Sequence, residues 1–443
     1  MSVTKQSFMR EFENPTPFYR TMPFWVWNSD FSKDEIRAQL LELKEHGFGG
    51  AFVHPRPGLI SEYMSQEWFS EWDCALQTAK ELDLTLGLYD ENSYPSGFGG
   101  GHVPAMCPQC LSQSIGFKRV NIAEAKARHS RMLDRPMKIF AFQSEKGSII
   151  KDVTLLPANE WGRYSHEFLI IYLLNSIGTA WQGGFGPIDV LRPEATAAFL
   201  SCTHEKYYRR YGEYFDSLIH AVFTDEPYIQ NANTSCGEEV KLPFSYWFAH
   251  QFQKKRGYSI IENLPALYGD VEYAGFSFPP SKVRYDYYET LHELWKENYL
   301  LPIYTWCKEH HLPLTGHYFE HNWPLANAGA VSPDVMSAYE FMDWPGIDIL
   351  FSHNLKDSPI HPLQIALWEV RSVGNQLGKK RILCEVNGAG GWDSTFADYK
   401  RTADWLFAGG INFLCHHLCY GSISGARKRD HPQSFDWRQP LLA

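Results

Sequence analysis

AVFTDEP, residues 221–227, is an apolar run that stops abruptly in two carboxylates and a proline. The same pattern recurs along the chain. It is seen in FWVWN at 24–28, GAFVHPRPG at 50–58, LGLYDENSYPSGFGG at 86–100, LTGHYFEHNW at 314–323, ILCEVNGAGGW at 382–392 and INFLCHHLCYG at 411–421. Apolar strands that each finish in carboxylates, imidazoles and aromatics match the layout of a (β/α)8 barrel. In that fold the strand C-termini converge on one mouth, and the chemistry is assembled there.

The segments between these runs support the reading. PFWVWN is a first strand. Ser32 then opens a capping box with Glu35, and Ile36, Leu40, Leu43 and Gly47 share one helical face. GGAFVHP is the second strand. A helix beginning near Ser65 buries Trp68, Trp72, Ala75, Ala79 and Leu82, and LTLGLYDEN is the third strand. Strands alternating with helices of this length imply a parallel sheet covered on both faces. The alternation fails between 104 and 190, where MKIFAFQ, SIIKDVTLL and HEFLIIYLLN follow one another without barrel-type helices. The chain therefore reads as an α/β protein, a (β/α)8 TIM barrel formed by residues 1–103 and 191–443, with a β-rich subdomain, 104–190, inserted after the third strand.

Pro193 opens a helix at its first turn, which runs through TAAFLSCTHEKYYRRYGEYF to the fourth strand, IHAVFTDEP. Residues 228–312 read as helical and end in a long helix that Pro302 should kink or divide. LPLTGHYFEHN, GIDILFSHN, RILCEVNG and INFLCHHLCYG supply the last four strands, with helical stretches at 362–378 and 398–409. A bare barrel needs about 250 residues, so 443 residues leave room for the insertion. The sequence reaches QPLLA soon after the eighth strand, and accessory domains beyond the barrel are expected to be absent.

A net charge of −10 argues against a nucleic-acid partner, whose phosphates demand a basic face. No apolar run approaches the roughly 20 residues that span a bilayer, and the N-terminus lacks the apolar core of a signal peptide. Nine cysteines without regular spacing predict reduced thiols and a cytoplasmic location. Cys107 and Cys110 form a CxxC with no second ligand pair, so they read as loop thiols rather than half a zinc site. SGFGGG at 96–101 lacks the spacing of a dinucleotide fingerprint, and no HExxH or GxxxxGK[ST] occurs. No nucleotide or organic cofactor is expected.

The strand endings nominate the chemistry. Glu226 and Glu385 are carboxylates facing a shared mouth, which is what glycoside hydrolysis requires. Successive strand residues point to opposite faces, so only one of Asp225 and Glu226 should face the barrel axis, and the other should pair with a loop. Asn387 shares the face of Glu385 and could bind a sugar hydroxyl, while glycines 388, 390 and 391 let backbone approach a ligand. Each Glu has a plain structural alternative, a salt-bridged pair at 225–226 and a loop anchor at 385. His317, Tyr318, Glu320, His321 and Trp323 form the densest cluster, with Glu320 a rival carboxylate for either role. His54, Arg56, Asp90 and Glu91 suit substrate hydrogen bonding, and clustered carboxylates there could hold a hard cation such as calcium. His416 and His417 suit sugar hydroxyls, with one of the pair expected to be structural. Trp392 and Tyr420 are expected to wall the cleft.

At these residues the chain resembles glycoside hydrolase family 106, the α-L-rhamnosidases and their relatives. The resemblance rests on PFWVWN, GGAFVHPRPGL, LYDENSYPSGFGGG, FTDEP, CEVNGAGGW and DYKRTADWLFAGGINFLCHH. It implies a barrel catalytic domain, an oligosaccharide or glycoside substrate, inversion of the anomeric centre, and calcium at the mouth. Asp90, Glu91, Asn92 and Asp393 are the oxygen ligands at hand. By position Glu226 matches the general acid and Glu385 the general base, with Glu320 the other candidate base. Three other readings stay open: a carbohydrate-binding relative without turnover, a retaining barrel glycosidase of another sugar specificity, and a metal-dependent hydrolase of another bond.

Overall fold

A computed structural model describes residues 5–131, 135–180, 182–318, 332–350, 364–388, 391 and 394–429. The first three strands are β1 (Phe24–Trp27), β2 (Gly50–Pro55) and β3 (Thr85–Tyr89). The helix between β1 and β2, Lys33–Glu45, starts with the reciprocal Ser32–Glu35 capping box read from the sequence. The helix Gln66–Glu81 buries Trp68, Trp72, Ala75 and Ala79, and Leu82 at its end is half-buried.

Between β3 and the fourth barrel strand lie β4 (Gln113–Asn121), β5 (Lys138–Gln143), β6 (Ser148–Asp152) and β7 (Glu167–Asn175). They form an antiparallel sheet in the order β6-β5-β7-β4-β9. Its fifth strand, β9 (Val240–Pro243), comes from a segment that the sequence analysis reads as helical, beyond β8 (Ile219–Asp225). Cys107 and Cys110, read as free thiols, are joined by a disulfide. The helix opened by Pro193 ends at Cys202, and a second runs His204–Tyr211. Thr203 breaks the run, with its hydroxyl donating to Phe199 O at 2.6 Å.

Pro302 acts as expected. It lacks the N–H that would continue the ladder, and the five residues before Leu301 take a π turn, Lys296–Leu300, between helices Pro280–Trp295 and Leu301–Glu309. The barrel continues with β10 (Leu314–His317), β11 (Trp344–Ile349), helix Gln364–Leu377, β12 (Leu383–Val386), helix Phe396–Gly409, β13 (Phe413–His416) and β14 (Cys419–Tyr420).

The large sheet is parallel throughout, in the order β13-β12-β11-β10-β8-β3-β2-β1-β14. Its two end strands are consecutive pieces of one run. β13 pairs with β12, the chain steps across His417 and Leu418, and β14 pairs with β1 through Trp25–Cys419 and Val26–Tyr420. The eighth strand thus closes the ring by serving both neighbours. Inside the ring pack Phe24, Val26, Phe52, Tyr89, Phe223, Leu383, Phe413 and Tyr420. At the start of β12 the Arg381 guanidinium lies 3.9 Å from the ring centre of Phe18, 4.5 Å from Trp344 and 4.4 Å from Phe413. These cation–π contacts, worth about 2 kcal/mol when desolvated, plug the end opposite the mouth.

β10 approaches β8 so closely at Gly316 that no side chain fits. A Cβ there would lie 1.8 Å from Thr224 O, and φ is +128°. Gly316→Ala is expected to destabilise the chain by about 2–4 kcal/mol, read by denaturant unfolding. An unchanged midpoint would contradict this account of the β8–β10 contact.

Candidate active site

Strand alternation carries the inward face from the apolar ring to the mouth. Two residues beyond Phe52, Phe223 and Leu383, which pack inside the ring, stand His54, Asp225 and Glu385. The ladder sets Asp225 beside His317 and Asp348 beside Glu385. Polar side chains from β8, β10, β11 and β12 therefore meet at one level.

His317 is the centre. Its Nε2 lies 2.7 Å from Glu385 Oε2 and 3.6 Å from Asp225 Oδ1. Tyr89 donates its hydroxyl to Asp225 Oδ2 at 2.5 Å. His417 Nε2 stands 3.9 Å from Glu385 Oε1. Carboxylate oxygens of Glu226 and Asp348 lie within 4.8 Å of a His317 nitrogen and of each other, and so do those of Asp225 and Glu385. All of these side chains are buried. Burial raises the Asp225 carboxyl pKa. His317 and the Tyr89 hydroxyl oppose that shift, and Asp348 adds to it.

The expectation that only one of Asp225 and Glu226 could face inward is corrected. Asp225 obeys the alternation. Glu226 leaves it, because its φ is +47°, a left-handed conformation that turns the strand end back. Its N–H donates to His317 O at 3.0 Å. Both adjacent carboxylates therefore sit beside the same imidazole. Asn387 is also left-handed, with φ +67°. It does not continue the face of Glu385, and its Nδ2 lies 3.2 Å from His416 Nδ1. His416 packs edge-on to Phe48 at 5.9 Å, so His416 is the structural member of the pair and His417 is the one at the site. A Cβ on Gly388 would lie 2.1 Å from His417 Nδ1. That glycine makes room for a protein imidazole rather than for a ligand.

His54 is fully buried against Phe24 and Tyr89, with ring centres 4.9 and 3.8 Å away. Neither of its nitrogens has a hydrogen-bond partner among the described residues. Burial first, then Arg56 and His417, push its pKa well down, so it is a neutral imidazole. Arg56 is buried and lies 5.3 Å from the Tyr94 ring centre.

Three expectations are not met by the geometry. Glu91 accepts four backbone N–H bonds, from Asn92, Phe98, Gly99 and Gly100, at 2.9, 2.8, 2.6 and 2.5 Å. It anchors the loop after β3 instead of meeting substrate. Asp90 alternates away from the inward-facing Tyr89 and bonds Ser96 Oγ at 2.5 Å. Tyr420 is fully buried in the ring's own packing, not on a cleft wall. Glu320, His321, Trp392 and Asp393 lie outside the described residues. With Glu91 and Asp90 so engaged, that pair does not fit a calcium cradle of six to eight oxygens, the number such a cation takes as a rule. The clusters that do form among the described residues each include a His317 nitrogen, a donor better suited to softer metals.

Sequence reading did not single out Asp348, Tyr89 or Ser96. Asp348 carried a usable signal, a carboxylate alone inside the apolar run GIDIL. Ser96 carried none.

Burial raises the Asp90 pKa well above the ordinary carboxyl value, against the Ser96 hydrogen bond. For a raised carboxyl the contribution to stability is full below the unfolded value, about 4, and is lost as pH rises through the folded value. Asp90→Asn cannot ionise. Its melting temperature should therefore gain on the unsubstituted chain as pH rises from about 4 to 7. A gap that stays constant across a series of thermal scans would contradict the burial argument.

Residues 203–423 match the family described as alpha-L-rhamnosidase, Glyco_hydro_106. The match starts beyond β7, the last inserted strand before the fourth barrel strand, so PFWVWN, GGAFVHPRPGL and LYDENSYPSGFGGG lie outside it. A protein of Formosa agariphila described as a "Putative beta-glucuronidase" is 21% identical over 497 residues, covering 97% of this chain and 40% of its own length. The solved rhamnosidase from Novosphingobium sp. PP1Y superposes with a TM-score of 0.63 at 15% identity, over 93% of this chain and 56% of that one. This chain spans about half or less of each relative. Over residues 203–423 it belongs to the alpha-L-rhamnosidase family, glycoside hydrolase family 106, on a (β/α)8 barrel.

Proposed function

We propose that the chain is a glycoside hydrolase that cleaves a glycosidic bond with two carboxylates and inverts the anomeric centre. Glu226 acts as general acid and Glu385 as general base. The observation that carries the proposal is the convergence of both on His317 at the barrel mouth, Glu385 at 2.7 Å and Glu226 within 4.8 Å of a ring nitrogen. Sharing one imidazole keeps the two groups inside the roughly 12 Å beyond which an inverting pair, about 6.5–9.5 Å apart, stops being plausible.

In this mechanism Glu226 gives its proton to the leaving oxygen while Glu385 takes one from the attacking water. Asp348 lies within 4.8 Å of Glu226, on the same side of the site. His317 holds the Glu385 carboxylate at 2.7 Å, and His417 stands 3.9 Å from its other oxygen. The His54 nitrogens, which have no hydrogen-bond partner among the described residues, offer hydrogen bonds to sugar hydroxyls, and so does the nearby Arg56 guanidinium. The family assignment puts α-L-rhamnosides first among substrates, and the Formosa relative adds β-glucuronides to the panel.

One observation favours a second reading. Asp225 and Glu385 have oxygens within 4.8 Å, near the roughly 5–5.5 Å of a retaining pair. Asp225 is already held by Tyr89 and by its own buried backbone, which argues against it as a nucleophile.

Glu226→Gln is expected to lower turnover of an aryl glycoside with a poor leaving group by about 10²–10⁴-fold, with ligand binding retained. The loss should be much smaller for a dinitrophenyl glycoside, which needs no proton to leave. Equal loss on both substrates would remove Glu226 from the acid role. No turnover of any glycoside by the unsubstituted chain would favour a carbohydrate-binding relative.

A further inference from the structure

β3 and β8 run side by side only as far as Tyr89 and Phe223. β3 then ends, while β8 continues through Thr224 to Asp225. The Asp90 N–H still donates to Phe223 O at 3.1 Å, the last rung of that ladder. In a parallel sheet the N–H and C=O of one residue point to the same neighbour, so Asp225 is left with two backbone groups and no strand to receive them. A buried backbone group left unpaired is costly, so both must find another partner.

Ser96 receives both. Its N–H donates to Asp225 O at 2.7 Å, and its Oγ accepts from the Asp225 N–H at 2.8 Å. The Ser96 hydroxyl in turn donates to Asp90 Oδ1 at 2.5 Å. The direction is fixed by chemistry. The Asp225 amide can only donate, so the serine proton lies toward Asp90, and the carboxyl orients the hydroxyl for its task. Glu91, through its four backbone N–H bonds, folds the loop that delivers Ser96 to this point. The residue held in this way is the one immediately before Glu226, whose left-handed turn brings its carboxylate to His317.

We propose that Asp90 and Ser96 are positioning residues that stand in for the missing strand, clamp Asp225, and thereby set the turn that aims Glu226. This rests on the reading of Glu226 as the reacting acid. Asp90 faces away from the ring interior, and its hydrogen bond to the Ser96 hydroxyl, which in turn accepts from the Asp225 N–H, is its route to the turn at Glu226.

The test uses the full 443-residue chain. Ser96→Ala and Asp90→Ala are each expected to lower kcat at least about tenfold on the aryl glycoside that the chain hydrolyses best, with KM changed by less than about twofold. Asp90→Asn keeps an acceptor for the serine proton and should retain most of kcat. The double alanine variant should be little slower than either single one, because the two act as one unit. Hydrogen exchange read by mass spectrometry over residues 219–228 should show the Asp225 amide exchanging at least about tenfold faster in Ser96→Ala and remaining protected in Asp90→Asn. A raised KM with kcat intact would make these residues substrate contacts. Unchanged exchange in Ser96→Ala, or Asp90→Asn as slow as Asp90→Ala, would overturn the clamp. The exchange arm needs no substrate. If the unsubstituted chain cleaves no glycoside, the glycosidase reading fails, and the clamp is judged on the Asp225 amide alone.

Discussion

Four buried carboxylates, Asp225, Glu226, Asp348 and Glu385, are gathered around the single imidazole of His317. Two like charges 4 Å apart repel by about 4 kcal/mol at an effective dielectric of 20, so such a group cannot assemble unless something opposes the repulsion. His317 does so at 2.7 Å from Glu385 and 3.6 Å from Asp225, with the Tyr89 hydroxyl on the far side of Asp225. The rest of the mouth is arranged to hold this contact. Gly316 lets β10 approach β8 closely enough for His317 to lie beside Asp225, and Gly388 clears the space that His417 fills.

Backbone conformation completes the arrangement. Glu226 and Asn387 both follow strand ends in the left-handed region, where a non-glycine residue carries about 1–3 kcal/mol of strain. At Glu226 the strain has an evident use, because a regular strand would turn that carboxylate away from His317. The restraints that enforce it come from both sides, the His317 carbonyl on β10 and Ser96 on the β3 side. The closed ring supplies the rigid frame. Its eighth strand splits at His417 and Leu418, and the split places His417 next to Glu385.

Much of this was legible in the sequence, for a definite reason. A buried apolar strand can end in a carboxylate only where something receives the charge, so AVFTDEP and ILCEVNG announced a shared polar mouth, and the alternation of strands and helices announced a barrel. The period-two rule then misled at Asp225 and Glu226, because it describes regular strands and Glu226 is not in one. Asp348 carried a signal of its own, a carboxylate alone inside the apolar run GIDIL, but it lies within its strand and not in a polar burst at the strand's end. Glu91 and Asp90 looked like site residues by position, but their hydrogen bonds go to the loop, and no local pattern in YDENSYPSGFGG reveals that. β9 was missed because its pairing to β4 is a contact across more than a hundred residues. His416 and His417 are adjacent and identical, and only the packing of Phe48 separates the structural ring from the one beside Glu385.

In the proposed mechanism Glu226 and Glu385, brought to one imidazole from β8 and β12, act on opposite sides of a sugar with water between them. The most direct measurement is the anomeric configuration of the first product, followed by proton NMR during hydrolysis of an aryl glycoside before mutarotation sets in. The account predicts inversion, the outcome of an acid and a base separated widely enough to admit water. Retention would contradict it and would shift the chemistry to the closer pair, Asp225 and Glu385.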